Sequence, residues 1–309
     1  MNITIVKDTI LPVKHYGGTE RVIWALGKEL SAMGHQVTFL VHFGSSCPFA
    51  RVVAINPNLS IGEQIPEDTD IVHFSDTVYE ENLKQPYVVT INGNLSQGTT
   101  ISPYSIFVSA NHAKRYGSSS YVYNGLDWDE YGAVNLSLTR SHFHFLGKAA
   151  WKVKNVKGAI RITKNIPHAH LDVLGGYRLN LKMGLRFTLS PRIHFHGMVD
   201  NVEKQQLIQQ SKGLIFPILW DEPFGLCLIE SLYYGSPVFG TPKGALPELI
   251  PSEVGFLGDE QAIISHLQNL PSYSSKLCHE YAADQFNAKV MAMAYLDKFE
   301  RVLNGETLL

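Results

Sequence analysis

The sequence predicts an α/β protein built from two doubly wound domains. Short runs rich in β-branched and aromatic residues alternate with helical patterns. That alternation lapses once, near residues 126–141, and then restarts. The chain of 309 residues is long enough for two domains of ordinary size.

The first half reads in order as the strands NITIV, QVTFLVHF, DIVHF, PYVVTI, SIFVSA and YVYN. Between the first two lies GGTERVIWALGKELSAMGH. Its apolar residues Val22, Leu26, Leu30 and Met33 step by four, four and three, which is one helical face. Thr19 is the expected N-cap and Gly34 the expected stop. LDWDEYGAVNLSLTRS then loses periodicity. Beyond it come FHFLG, a helix, AHLDVLGG, a linking segment, IHFHG, a helix, GLIFPI, a helix, SPVFGT and a further helix. AKVMAMAYLDKFERVL is a final amphipathic helix. The expected domains are 1–135 and 136–285, with 286–309 returning toward the first. Alternating strands and helices imply parallel sheets covered on both faces.

Composition narrows the function. Apolar residues make up 45% and charged residues 17%, so a large core forms and disorder is not expected. A net charge of −2 gives no global reason to bind nucleic acid. Cys47, Cys227 and Cys278 are widely spaced and odd in number, as expected of reduced thiols in a cytoplasmic protein. No apolar run approaches the ~20 residues that span a bilayer. Contact with the inner face of a membrane stays open.

Ligands of doubly wound sheets bind at the carboxyl ends of strands, near helix N-termini. Three features fall there. Gly17 and Gly18 precede the first helix, but the fingerprint G-x-G-x-x-G is missing, which argues against an NAD enzyme. GKAAWKVKNVKG places Lys148, Lys152, Lys154 and Lys157 between a strand and a helix. A helix N-terminus repels cations unless an anion joins them, so a diphosphate is the expected partner. WDEPFGLCLIE sets Glu222 and Glu230 around the start of another helix. The amides of Phe224, Gly225 and Leu226 would face the same crevice as the lysines. Two carboxylates suit a polyhydroxylated ligand.

Glu222 and Glu230, eight apart in EPFGLCLIESLYYGSPV, resemble the signature of retaining glycosyltransferases of family 4. HYGGTERV, YNGLD at 123–127, the FLGK…KG stretch, HGMVD at 196–200 and KGALPELI at 243–250 fall at the places that family expects. The resemblance covers nearly the whole chain. It implies the GT-B fold, two Rossmann-like domains facing a central cleft. It implies a cytoplasmic enzyme with no cofactor and no metal, moving a hexose-type sugar from a UDP- or GDP-linked donor. The acceptor hydroxyl would belong to a glycan, a lipid-linked or a small molecule, in surface polysaccharide assembly. Glu230 would bind the ribose. Glu222, with Phe224 and Gly225 amides, would bind the donor sugar. Lys148 and Lys154 would neutralise the diphosphate, Gly18 would admit the donor phosphates, and backbone around Gly197 and Met198 would hold the base.

Three departures stand out. Lys148 occupies a position usually held by Arg. The clamp has one extra residue, so Lys154 and Lys157 compete for the second phosphate role, and Lys154, just before the helix, is favoured. Asn92 stands where many members carry a histidine. His-x-His pairs at 142/144, 168/170 and 194/196 could chelate metal from one strand face. They are expected at opposite ends of the sheet and are read as packing. Asp127-Trp128-Asp129 is read as a coincidental D-x-D. A sugar-nucleotide epimerase or a silent nucleotide-sugar-binding scaffold are the alternatives.

Overall fold

The structure is a computed structural model that describes residues 1–13, 17–75, 83–180 and 186–309. The chain divides into two compact units. Met1–Asp127 with Phe286–Leu309 forms the first, and Trp128–Gln285 forms the second.

The first unit runs β1 (Asn2–Val6), α1 (Gly18–Ala32), β2 (Gln36–Val41), β3 (Arg51–Ala54), β4 (Ile71–Phe74), β5 (Tyr87–Ile91), β6 (Ser105–Phe107) and α2 (Ala110–Arg115). The sheet is parallel, in the order β3-β2-β1-β4-β5-β6. Both faces are covered, so the strands read as apolar runs. Val72, Phe74, Val89, Ile91 and Phe107 form one core cluster. The expected strand YVYN contributes only a bridge from Tyr121 to Phe107. RVVA, not recognised from the sequence, pairs as β3 at the sheet edge. The N-cap of α1 is Gly17, not Thr19, while Gly34 turns the chain out of the helix with φ 90°.

The second unit runs β7 (His142–Leu146), α3 (Val156–Lys164), β8 (Leu171–Leu174), β9 (Leu179–Asn180), β10 (Arg186–Phe187), β11 (Ile193–Gly197), α4 (Asn201–Gln209), β12 (Ser211–Phe216), α5 (Leu226–Tyr233), β13 (Val238–Gly240), α6 (Leu246–Leu249), β14 (Gly255–Leu257), α7 (Glu260–Gln268) and α8 (Ser275–Gln285). Its parallel sheet has the order β11-β8-β7-β12-β13-β14, and β9 and β10 pair as a separate hairpin. Leaving that hairpin aside, both sheets share one winding. The strand order reverses between β1 and β4 in one unit and between β7 and β12 in the other, and such switch points are where ligands bind.

The last helix, α9 (Ala288–Leu303), belongs to the first unit, where it packs on α1 and β5. Tyr295 on α9 shares a hydrogen bond with Thr90 at 2.9 Å and lies against the His73 ring. The first boundary falls earlier than the expected residue 135. Trp128 stacks on Tyr233 with centroids 4.1 Å apart, and the Tyr234 hydroxyl donates to the Tyr131 carbonyl at 2.8 Å. These contacts tie residues after Asp127 to α5. Among the described residues no helix is long and apolar enough to cross a membrane.

Candidate functional site

The residues at the second unit's switch point come from two loops that are tied together. One follows β7 and carries Lys148, Lys152 and Lys154. The other follows β12 and carries Trp220, Asp221 and Glu222. The Leu219 amide donates to the Val153 carbonyl at 2.8 Å, and Asn155 Nδ2 donates to the Pro217 carbonyl at 2.7 Å. Asn155 is left-handed, with φ 54°, and its Oδ1 accepts from the Gly158 amide at 3.0 Å. That side chain both caps α3 and staples the loops.

Glu222 is buried at the centre. Its Oε2 accepts from Lys154 Nζ at 2.6 Å and from Trp220 Nε1 at 2.7 Å. The Lys154 ammonium also sits over the Trp220 ring, 5.1 Å from its centroid. Lys148 is exposed and lies over Trp151, which meets Trp220 edge-on at 6.3 Å. Two cations, two indoles and one carboxylate therefore interleave at the end of the sheet. Lys157, in the first turn of α3, is exposed and joins none of these contacts.

The Glu222 backbone is held from behind by the KGALPELI segment. The Glu222 carbonyl accepts from the Ala245 amide at 2.9 Å. Gly244 has φ 59°, and a Cβ there would lie 2.2 Å from the Glu222 nitrogen, so only glycine fits. Helix α5 then starts at Leu226. Its N-cap is Gly225, with no side-chain cap, whereas α3 is capped by Asn155. Of these two helix starts, that of α5 lacks a side-chain acceptor for its first amides. Phe224, just before it, is buried.

Glu230 lies further along α5 and is enclosed. Lys204 Nζ donates to its Oε1 at 2.7 Å, and the Tyr131 hydroxyl reaches the same oxygen at 3.2 Å. Lys204, on α4, is itself buried. Nothing in the sequence points to this partner, because a lone lysine in NVEKQQLIQ looks like a solvated helix face. Glu222 and Glu230 both act electrostatically on the Cys227 thiol, whose pKa is driven well up, first by desolvation and against the opposing charge of Lys154. Burial therefore favours the neutral thiol at Cys227.

Backbone close-packing shapes the neighbouring strand ends. Gly175 takes φ 108°, and a Cβ there would lie 2.3 Å from the Gly147 carbonyl oxygen. The Gly175 amide donates to the Gly197 carbonyl at 2.6 Å, and the Gly197 amide donates to the Gly176 carbonyl at 3.0 Å. The Gly197 amide is thus engaged, its carbonyl accepts one bond, and Met198 beyond it is exposed. Asp200 of the HGMVD motif caps α4, accepting from the Glu203 amide at 2.9 Å.

Gly17, Gly18 and Asn92 belong to the first unit. Gly17 is extended and Gly18 opens α1. His15 and Tyr16 of the HYGGTERV motif lie outside the described residues. Asn92 follows β5, and its Nδ2 donates to the Ser75 carbonyl at 3.0 Å, beside the 3.2 Å bond from Lys7 Nζ to that carbonyl. The amide nitrogen is thereby engaged, and the acceptor Oδ1 is the group it can offer a hydroxyl.

The histidine pairs are not at opposite ends of the sheet, as expected. In the parallel register both His144 and His194 stand beside Asp172. His142 and His196 then reach Asp172 from two sides, at 3.2 and 2.8 Å. His144 is buried between Ser211 and Ser231, at 2.7 and 2.8 Å, and burial pushes its pKa well down. Among the described residues no group of three or more His, Cys, Asp or Glu is arranged to hold a metal ion. Asp127 of the D-x-D sequence pairs with Lys28.

Comparison with known proteins places this geometry. Residues 140–271 match the family of glycosyl transferases group 1. The D-rhamnosyltransferase WbpZ of Pseudomonas aeruginosa is 24% identical over 270 residues, 78% of this chain and 68% of its own. Among solved structures, AviGT4, a glycosyltransferase involved in avilamycin A biosynthesis, superposes with a TM-score of 0.77 at 18% identity, covering 100% of this chain and 99% of its own. Anabaena HepE, solved with UDP and glucose, gives 0.68 at 15% identity, covering 97% and 99%. The shared fold is GT-B, with two Rossmann-like domains.

Proposed function

We propose that this chain, a GT-B protein whose second unit is a group 1 glycosyltransferase domain, transfers a hexose-type sugar from a nucleotide-diphosphate sugar to an acceptor hydroxyl. The product keeps the donor's anomeric configuration, and no metal takes part. The observation that carries this reading is the Lys154–Glu222–Trp220 cluster at the switch point, next to a helix start that has no side-chain cap.

Each residue has a task in that reading. Lys148 is exposed and brings its charge to the diphosphate as a point charge. Lys154 is held by Glu222, so its ammonium is placed before the ligand arrives, and preorganised charge is what stabilises a departing diphosphate. With Glu222 Oε2 occupied by two donors, Oε1 is the atom that accepts a sugar hydroxyl. The amides of Phe224, Gly225 and Leu226 add donors at the α5 start. Glu230 is fixed in place by Lys204 and Tyr131, ready for the ribose. Backbone around Gly197 and Met198 would hold the nucleotide base. Gly17, Gly18 and the Oδ1 of Asn92 would serve the sugar and phosphates from the first unit. A UDP or GDP donor and a glycan, lipid-linked or small-molecule acceptor fit a chemistry that is mostly positioning.

The test is turnover on a panel of UDP- and GDP-sugars, with and without acceptors, in the presence of EDTA. Nucleotide release that depends on acceptor, survives EDTA and is lost in Glu222→Gln supports the proposal. Binding of every donor without release would sink it in favour of a silent scaffold, and conversion of the donor sugar without transfer would favour an epimerase.

A further inference from the structure

The first unit's sheet carries polar side chains where the fold calls for apolar ones. Parallel sheets covered on both sides are built from apolar runs. Toward the carboxyl ends of the strands that rule holds: Val6 stands beside Leu40, and Leu40 beside Val53. Toward the amino ends of the same face it fails. Asn2 stands beside Gln36, Thr4 beside Thr38, and Thr38 beside Arg51. Side chains alternate along a strand, so these five share one side of β1, β2 and β3. They line a cavity of about 440 Å³, together with Phe49 and Asp68. Sites for small molecules run from about 300 to 1,000 Å³.

The floor of the cavity is closed, because Thr4 and Thr69 are buried and their hydroxyls bond each other at 2.7 Å. The walls are open. Among the described residues the side chains of Gln36, Thr38, Arg51 and Asp68 have no hydrogen-bond or ion-pair partner. Arg51 and Asp68 thus bring one cation and one carboxylate to the same cavity without pairing with each other. The Asn2 amide nitrogen donates to the Asp68 carbonyl at 2.8 Å, which leaves its Oδ1 as an acceptor. A guanidinium only donates, a carboxylate only accepts, and an amide or a hydroxyl does both. The ligand that satisfies such a set has no net charge and carries groups that donate and accept at once. A sugar ring meets both conditions, and Phe49 adds an aromatic wall for its C–H face. The place is separate from the transfer site. Ligands of the switch point bind at the carboxyl ends of the strands, whereas this cavity lies at the amino ends. The 5 residues of β1, at about 3.3 Å each, stand between the two edges.

We propose that the cavity at the amino ends of β1, β2 and β3 is a second carbohydrate site that holds a neutral mono- or disaccharide unit, with Arg51 and Asp68 gripping its hydroxyls from two sides. Binding there uses none of the residues assigned to sugar transfer.

The experiment is saturation-transfer NMR on the full chain with glucose, mannose, galactose, maltose and cellobiose, with glycine and glutamate as zwitterionic controls. At least one sugar should bind in the absence of any nucleotide. Arg51→Met should weaken that binding about tenfold, with an unchanged melting transition because Arg51 is exposed. Thr38→Val keeps the side chain's shape, removes its hydroxyl and should cost about threefold. Glu222→Gln, altered in the other unit, should bind the sugar as the natural chain does whether or not transfer is observed, so the result stands apart from the fate of the proposed activity. No sugar binding by the natural chain, an unchanged affinity in Arg51→Met, or a signal lost in Glu222→Gln would each overturn the proposal. So would binding of glycine or glutamate alone that depends on Arg51, which would make the cavity a zwitterion site.

Discussion

Lys154 Nζ lies 2.6 Å from Glu222 Oε2, and both side chains are almost wholly enclosed. A buried ion pair is a weak source of net stability, but breaking it is costly because one charge is stranded. Lys154→Met should therefore destabilise the protein by about 3–5 kcal/mol, with Trp220 as the remaining donor to Glu222. Combining it with Glu222→Gln should recover part of that loss, giving a coupling of about 0.5–3 kcal/mol in a double-mutant cycle of urea unfolding. Strict additivity would show that the two groups do not hold each other.

Turnover should separate the lysines. Lys148→Ala and Lys154→Ala are expected to lower kcat more than they raise KM, because diphosphate charge grows toward the transition state. Lys157 is exposed and outside the cluster, so Lys157→Ala should stay close to the natural chain. The check is kcat and KM for all three with one donor. A Lys157 variant worse than the Lys154 variant would reassign the second phosphate contact.

The Glu230 carboxylate should show a structural and a binding effect together. Glu230→Ala strands the buried ammonium of Lys204, so a loss of about 3–5 kcal/mol is expected besides any loss of nucleotide affinity. Glu230→Gln keeps a hydrogen-bond acceptor for Lys204 and should be milder. Thermal melts with and without UDP and GDP distinguish the two effects. A stable Glu230→Ala protein that has lost only affinity would mean that the Lys204 pair contributes little to folding.

Much of this was legible because both sheets are parallel and buried on two faces, so runs such as IVHF and YVVTI stand out as continuous apolar strands. The WDEPFG turn could be placed because a strand, two carboxylates and a helix start fall within one short segment. Lys204 was hidden, since a single lysine on a polar helix gives no sign that it points inward. The stagger that brings His142 and His196 onto Asp172 depends on register between strands, which no local pattern encodes. The boundary after Asp127 lies inside the lapse at 126–141, and its exact place depends on a long-range contact: Trp128 stacks on Tyr233, about a hundred residues away.

The final helix should be indispensable to the first unit. Met291, Tyr295, Phe299 and Val302 on α9 are all buried. At about 1.5–3 kcal/mol per side chain, their burial rivals the ~5–15 kcal/mol stability of a whole domain. A chain ending at residue 285 should keep a folded second unit and lose the first. Limited proteolysis reads this directly: cuts spread through residues 1–127 are expected, with 128–285 protected. A protected first unit would show that α9 is dispensable.

The first unit should also weaken in acid, and His73 supplies part of the reason. Its ring is buried against Tyr295 and Phe299, with centroids 4.9 and 5.8 Å away, and Nε2 bonds Thr90 Oγ1 at 2.7 Å. Burial lowers its pKa from 6.5 to about 3. The unfolded chain therefore takes up a proton below pH 6.5 that the folded chain refuses until about pH 3. The stabilising contribution is full above pH 6.5 and is lost as pH falls through that window, at up to about 1.4 kcal/mol per pH unit. His112, whose pKa burial lowers to about 4, acts in the same direction, so acid sensitivity should persist without His73. His73→Phe keeps an aromatic ring in the slot and leaves Thr90 bonded to Tyr295. It should flatten the fall in unfolding free energy between about pH 6 and 4 by roughly 1.4 kcal/mol per unit. Urea midpoints of the two proteins across that range supply the comparison, and parallel pH profiles would show that His73 already titrates normally in the folded state.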